Sequence, residues 1–288
     1  MTRTSGVAAA QSVAAIDFAT IRVSVHDGVA NVVLDNPPLN LLDSALITDL
    51  RRFVEAVRKD TTIRVIVVAS ADPEFFSAHG DARFVSEEGL FAKLIRAQDA
   101  PLNPMQALHE SLRTLPQVTI GKIAGIARGG GHELLMSLDM RFAAIGPTKV
   151  AQPETTLGIV PGGGGTQYLT RLTGRARALE AILGGVLFNA ETAERYGLVN
   201  RALPADALDD YVDSLARRIA ALGPAVIDGA RRSIDAAFDH DIAEGMRIEN
   251  EELGKLFTEE TTRRTIDLLS RGYQTREGER DLERILHE

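Results

Sequence analysis

Val65-Ile66-Val67-Val68 is an apolar run without alternation. A strand with one wet face alternates apolar and polar residues, so this run reads as a strand covered on both sides, as in a parallel sheet held between other layers. The surrounding pattern agrees. Residues 21–26 (IRVSVH) and 29–34 (VANVVL) are short β-rich runs joined by Asp27-Gly28, a dipeptide suited to a tight hairpin turn. After the breaker Asn36-Pro37-Pro38, Leu46, Leu50, Phe53, Val54 and Val57 recur at helical spacing. They predict an amphipathic helix over 44–59 with Asp43 or Ser44 as N-cap.

Residues 86–104 are polar and irregular, and a helix is expected to run from there to Leu115. VTIGKIAGI then reads as a strand leading through Arg128-Gly129-Gly130-Gly131-His132-Glu133 into a helix that ends near Asp139, and Arg141–Ile145 resumes as a strand. Beyond Gly165 the pattern is helical, over 166–173, 175–184, 190–196, 205–221, 224–238, 241–257 and 260–271, interrupted by a short strand at VNRAL. Leu208, Val212, Leu215 and Ile219 form one apolar stripe. Strands mixed with helices, followed by helices alone, predict an α/β core with a helical C-terminal region.

Composition narrows the chemistry. The 288 residues, 44% hydrophobic and 25% charged, are enough to bury a substantial core. A net charge of −8 argues against nucleic acid as the partner, because phosphate neutralisation calls for a basic face. With no cysteine, thiolate nucleophiles, disulfides and cysteine metal sites are excluded. Residues 1–15, rich in Ala, Ser and Thr, read as a flexible tail rather than a signal peptide or membrane span, which makes the expected location cytoplasmic with no membrane partner.

Three segments carry residues suited to catalysis. The triple glycine at 129–131 brings backbone amides close to something at a helix start, or packs a sharp turn. It lacks the third glycine of GxGxxG, and Gly162–Gly165 is followed by Thr166-Gln167 instead of the lysine of a phosphate-binding loop. Glu133 is either a charge favoured by the helix N-terminus or a proton-transfer group; Glu154, after Pro153, is either a surface residue or its partner. Two carboxylates beside clustered backbone donors are what acid/base chemistry next to an oxyanion requires.

These segments resemble the crotonase superfamily, the enoyl-CoA hydratase/isomerase family. IAGIARGGGHELLMSLDMRFA is similar to its GGGxEL block, VAQPETTLGIVPGGGGTQYLTRLTG to its QPE block, FFSAHGDA to its oxyanion loop, and AERYGLVN to a later GLV element. The resemblance implies a spiral of ββα units over 16–204 and a helical trimerisation region over 205–288, assembled as a homotrimer or a dimer of trimers. It implies that the N–H groups of Gly80 and Gly130 form an oxyanion hole, and that Glu133 and Glu154 are a hydratase pair adding water to an enoyl-CoA thioester. Coenzyme A would be part of the substrate, with no separate cofactor or metal. Ala78, His79, Asp81, Arg83, His132, Gly162 and Phe257 are carried over as substrate-binding positions, with Arg83 near the CoA phosphates and Phe257 at the acyl pocket.

The chain departs from the family at His79 and His132, where small residues are usual, and at Thr265–Arg271, where the adenine end of the site lies in many hydratases. The histidines are open to two readings, proton carriers or shape and hydrogen-bond elements. Rival activities are an enoyl-CoA isomerase using Glu154 alone, thioester hydrolysis or decarboxylation, and a noncatalytic binding subunit. A Ser–His hydrolase would use Ser77 or Ser137, but no G-x-S-x-G motif is present.

Overall fold

The computed structural model describes residues 12–287. Contacts divide the chain into two units, one ending at Ala220 and one beginning at Ala221. The first holds Ile21–His26 (β1) and Val29–Leu34 (β2), antiparallel across Asp27 and Gly28 with φ of 50° and 77°. Positive φ at both residues is what a two-residue hairpin turn needs. Ser44–Val57 (α1) follows, its N-terminus capped by Asp43, whose carboxylate accepts from Ala45 N and Leu46 N.

Val65–Ser70 (β3) passes to Phe75–Ser77 (β4), then to Arg83–Ser86 (α2) and Pro104–Arg113 (α3). Val118–Ile123 (β5) is followed at once by Ile126–Arg128 (β6) and Gly130–Met136 (α4). Met140–Ala144 (β7) and Lys149–Ala151 (β8) lead to Gly165–Thr173 (α5) and Arg175–Gly184 (α6). Phe188–Asn189 (β9), Ala190–Tyr196 (α7), Arg201–Leu203 (β10) and Leu208–Ala220 (α8) complete the unit.

Two sheets result, in the orders β1-β2-β3-β5-β7-β10 and β4-β6-β8-β9. All pairings are parallel except β1 with β2 and β8 with β9. The three turns that begin at β3, β5 and β7 each place one strand in the large sheet, the next in the small sheet, and then a helix. This is the crotonase spiral of ββα units expected from the resemblance.

The run VTIGKIAGI, expected as one strand, is two strands in different sheets. The break falls at Ala124-Gly125, where a Cβ on Gly125 would stand 2.7 Å from Glu74 O. Only glycine lets the chain pass so close to the strand before it. Thr119 and Asp139 then tie β5 to the entrance of β7: Thr119 N and Oγ1 donate to Asp139 Oδ2 at 2.7 and 2.9 Å, and Asp139 N donates back at 2.8 Å.

The apolar run in β3 is buried on both faces, as its lack of alternation predicts. Ile66 and Val68 join the main core with Leu46, Phe53 and Leu108. Successive strand residues face opposite ways, so Val65 and Val67 face the other side, which α8 covers. There the buried stripe is Leu208, Val212, Ala216 and Ala220, while the expected Leu215 and Ile219 are only partly buried. Two alanines let the helix lie close to the sheet, which larger residues would prevent. The first unit thus includes α8, which lies against β2, β3, β5 and β7.

The expected tail falls mostly on residues 1–11, outside the described residues; Val13, in a short 3-10 turn over Val13–Ala15, is buried in the core. The second unit contains Pro224–Asp239 (α9), Ile242–Leu256 (α10), Glu259–Ser270 (α11) and Leu282–His287 (α12), the last absent from the sequence expectation. Among the described residues no helix is long and apolar enough to cross a membrane, and no group of three or more His, Asp or Glu is placed to hold a metal ion.

Candidate active site

β6 enters the site through Gly129, whose φ of 48° turns the chain while its N–H donates to Ala151 O at 2.9 Å. Gly130 is the first residue of α4, so its N–H has no acceptor within the helix. The facing loop, which continues from β4, is held by a parallel bridge between Leu42 and Gly80. Leu42 N donates to His79 O at 3.0 Å, and Asp81 N donates to Leu42 O at 3.2 Å. This register turns the Gly80 N–H away from Leu42.

The two amides are neighbours: a Cβ on Gly130 would stand 3.2 Å from Gly80 N and 2.7 Å from Met105 Cε. A side chain at 130 would occupy the space in front of the Gly80 amide. Gly131 is required for a different reason, since a Cβ there would stand 2.4 Å from Ser77 O, where α4 packs against β4.

Glu133 lies one turn into α4 and is 2% exposed. Its Oε1 accepts from Gly163 N and Gly165 N, both at 2.8 Å. Burial pushes its carboxyl above the ordinary range, and the two amide bonds oppose that shift by favouring the charged form. The glycines at 163 and 165 are needed for this approach: Cβ atoms would stand 2.6 Å from Glu133 Oε2 and 2.7 Å from Oε1, respectively.

Glu154 begins a 3-10 turn over Glu154–Leu157. A Cβ on Gly129 would stand 2.8 Å from its Oε1 and 3.8 Å from His79 Cβ, which places Glu154 beside the triple glycine and the loop that follows β4. Burial, reinforced by the nearby charge of Glu133, lifts Glu154 to about 7. Gln152 is fully buried between Glu154 and His132. In the amide orientation that satisfies both neighbours, its nitrogen donates to Glu154 Oε1 and Oε2 at 3.1 Å each, and its oxygen accepts from His132 Nδ1 at 3.2 Å.

His132 is 2% exposed and faces Gln152. Burial, aided by the positive charge of Arg141, pushes it down to about 3, so its ring is neutral. His79 lies on the loop that follows β4 with Nδ1 2.8 Å from Gly80 O. Ala78 is buried, with its N–H donating to Leu39 O and its carbonyl accepting from Arg128 Nε at 3.3 Å.

Asp81 and Arg83 form a paired unit: Arg83 Nε lies 3.1 and 3.0 Å from the two carboxylate oxygens and Nη2 lies 2.6 Å from Oδ2. The bond to Arg83 holds Asp81 below its ordinary pKa despite burial. Gly162 belongs to the loop that grips Glu133, and its carbonyl accepts from Asn103 Nδ2 at 2.7 Å. Phe257 lies in the second unit, at the end of α10, and is 75% exposed.

Gly80, Gly130, Glu133, Glu154, Ala78, His79, His132 and Gly162 are thus gathered around one region of the first unit. Gln152, Asn103 and His109 also belong to it and were not expected. His109 is fully buried on α3, with Nδ1 2.6 Å from Gly163 O. For Gln152 the sequence did offer a signal, its place two residues before Glu154 in the QPE block. For His109, 54 positions from its partner, there was none.

The family model for enoyl-CoA hydratase/isomerase matches residues 24–273. A probable enoyl-CoA hydratase of Rhizobium meliloti is 30% identical over 250 residues, covering 85% of this chain and 92% of that protein. One from Mycobacterium tuberculosis is 32% identical over 233 residues, covering 81% and 87%. A crystal structure of an enoyl-CoA hydratase candidate from Streptomyces avermitilis superposes with a TM-score of 0.74 at 45% identity, covering 93% of this chain and 97% of that one. The match of the family model over most of the chain, together with these relatives, shows that the chain belongs to the enoyl-CoA hydratase/isomerase family.

Proposed function

We propose that this protein is an enoyl-CoA hydratase, adding water across the 2,3 double bond of an enoyl-CoA thioester to give a 3-hydroxyacyl-CoA. The observation that carries this reading is the presence of two electrostatically coupled carboxylates, buried Glu133 and half-buried Glu154, beside the free-facing amides of Gly80 and Gly130. Attack of water at C3 moves negative charge onto the thioester oxygen. Two preorganised N–H donors stabilise that oxygen, and loss of one such donor typically costs about 2.7–4 kcal/mol.

In this mechanism the water lies between the carboxylates. Glu133, kept ionisable by its two amide bonds, accepts a proton from the water as its oxygen attacks C3; Glu154, with its raised pKa, delivers a proton to C2. Coenzyme A is part of the substrate and no separate cofactor or metal takes part. Arg83 remains a candidate for a CoA phosphate through the guanidinium edge not engaged by Asp81, and Ala78, His79 and Gly162 line the approach. The protein is proposed to act as a homotrimer or dimer of trimers, a reading supported by exposed apolar side chains on α9 and α10, including Phe238, Ile242 and Met246.

One observation favours an isomerase instead: Glu133 Oε1 is already occupied by two amides, which leaves Glu154 as the freer carboxylate. Crotonyl-CoA separates the two. The hydratase reading expects loss of the conjugated-enone absorbance with the wild type and loss of turnover by about 100-fold or more in both Glu133→Gln and Glu154→Gln. Unchanged absorbance across several chain lengths, or full turnover in Glu133→Gln, would overturn it.

A further inference from the structure

Helix α3 touches the glycine loop with two side chains. Asn103, its N-cap, donates Nδ2–H to Gly162 O at 2.7 Å, and His109 Nδ1 lies 2.6 Å from Gly163 O. A carbonyl oxygen only accepts, so Nδ1 of His109 carries the ring proton. The Gly162 carbonyl and the Gly163 N–H belong to one peptide group, and that N–H is one of the two on Glu133 Oε1. The Gly163 carbonyl belongs to the next peptide, which separates this donor from Gly165 N, the other one.

We propose that Asn103 and His109 are positioning residues that orient the Glu133 carboxylate by fixing the two peptide groups of the loop that holds it. This rests on the reading of Glu133 as a proton-transfer group. The contact is direct: a Cβ on Gly163 would stand 2.6 Å from Glu133 Oε2, 2.8 Å from His109 Cε1 and 2.9 Å from His109 Nδ1. His109 Nε2 is buried without a hydrogen-bond partner among the described residues, a cost that an apolar residue of similar size would avoid. The bond made by Nδ1 is what the position gains in return.

His109 acts by geometry rather than charge. Burial pushes it down to about 4, so at neutral pH it adds no charge beside Glu133. The other titratable or charged groups on elements packed against α4 are Glu110 and Arg113 of α3, Arg128 of β6, and Tyr168 and Arg171 of α5, with Glu154 across the site. Glu110 is engaged by Arg113 and by the hydroxyl of Tyr168.

The test uses the full chain with His109→Leu, His109→Asn and Asn103→Ser. Asparagine can place an amide N–H where histidine places Nδ1–H, while leucine has no donor; serine keeps an N-cap oxygen but loses the donor to Gly162. Readouts are kcat and KM for crotonyl-CoA, the pH profile, and the titration of Glu133 followed by carbon NMR, with its resonance assigned by its absence in Glu133→Gln. Loosened amide donors destabilise the charged carboxylate, so the Glu133 titration moves upward in His109→Leu and Asn103→Ser.

We expect His109→Leu to lower kcat by about 10- to 100-fold with little change in KM, and His109→Asn to restore most of it. An unmoved Glu133 titration in His109→Leu and Asn103→Ser overturns the proposal. If His109→Leu does not fold, Asn103→Ser decides by the same titration. Full activity of Glu133→Gln would end the proton-transfer reading, while the NMR titration would still report separately on the positioning.

Discussion

On the proposed mechanism, Glu154 sets the pH dependence of the reaction. Burial and the neighbouring Glu133 hold it at about 7, above its ordinary 4.5. If it must be protonated to deliver a proton to C2, kcat/KM falls as pH rises through about 7. An isomerase using Glu154 as its base would instead gain activity over that range, so the pH–rate profile separates the two. The same shift bears on stability. A carboxyl with a raised native pKa binds its proton more tightly folded than unfolded, so its contribution is most favourable at low pH and declines as pH rises from 4.5 through about 7. Glu154→Gln should therefore be more stable than wild type at pH 8 by about 1–2 kcal/mol, allowing for partial exposure, and nearly equal at pH 4, as measured by urea unfolding. At Gly130 the prediction concerns activity: Gly130→Ala puts a methyl 3.2 Å from Gly80 N and should lower kcat by about 100-fold or more with the fold retained by circular dichroism.

At the scale of elements, the strand-to-strand switch between β5 and β6 positions the triple glycine, and Gly125 permits it. Gly125→Ala would place a Cβ 2.7 Å from Glu74 O, and we expect about 1–3 kcal/mol of destabilisation in urea unfolding. This switch also shows where sequence reading stops. Periodicity revealed the doubly buried β3, the Asp27-Gly28 hairpin, the Asp43-capped helix and most C-terminal helices, because each depends on neighbouring residues. It merged β5 with β6, since leaving one sheet for another has no local apolar signature. It assigned Leu215 and Ile219 to the buried face of α8, where close approach to the sheet favours Ala216 and Ala220. Glu133, Glu154 and Gly130 were legible because they lie in compact motifs. Asn103 and His109 were not, because their partners in the glycine loop are 59 and 54 positions away and only the fold brings them together.

At the scale of the whole molecule, the first unit contains every group of the proposed mechanism, and the second unit presents Phe238, Ile242 and Met246 to solvent. Exposed apolar side chains favour association, so for the proposed trimer or dimer of trimers light scattering should give three or six times the chain mass, and Phe238→Asp with Ile242→Asp should reduce it. The central claim is water addition at this site, and the most direct measurement is mass spectrometry of trans-2-enoyl-CoA substrates of several chain lengths incubated with the protein in oxygen-18 water. The account predicts products heavier by one water, with the label on the C3 hydroxyl, formed by the wild type and lost in Glu133→Gln and Glu154→Gln. An unhydrated isomer, or free coenzyme A without a 3-hydroxyacyl product, would contradict it.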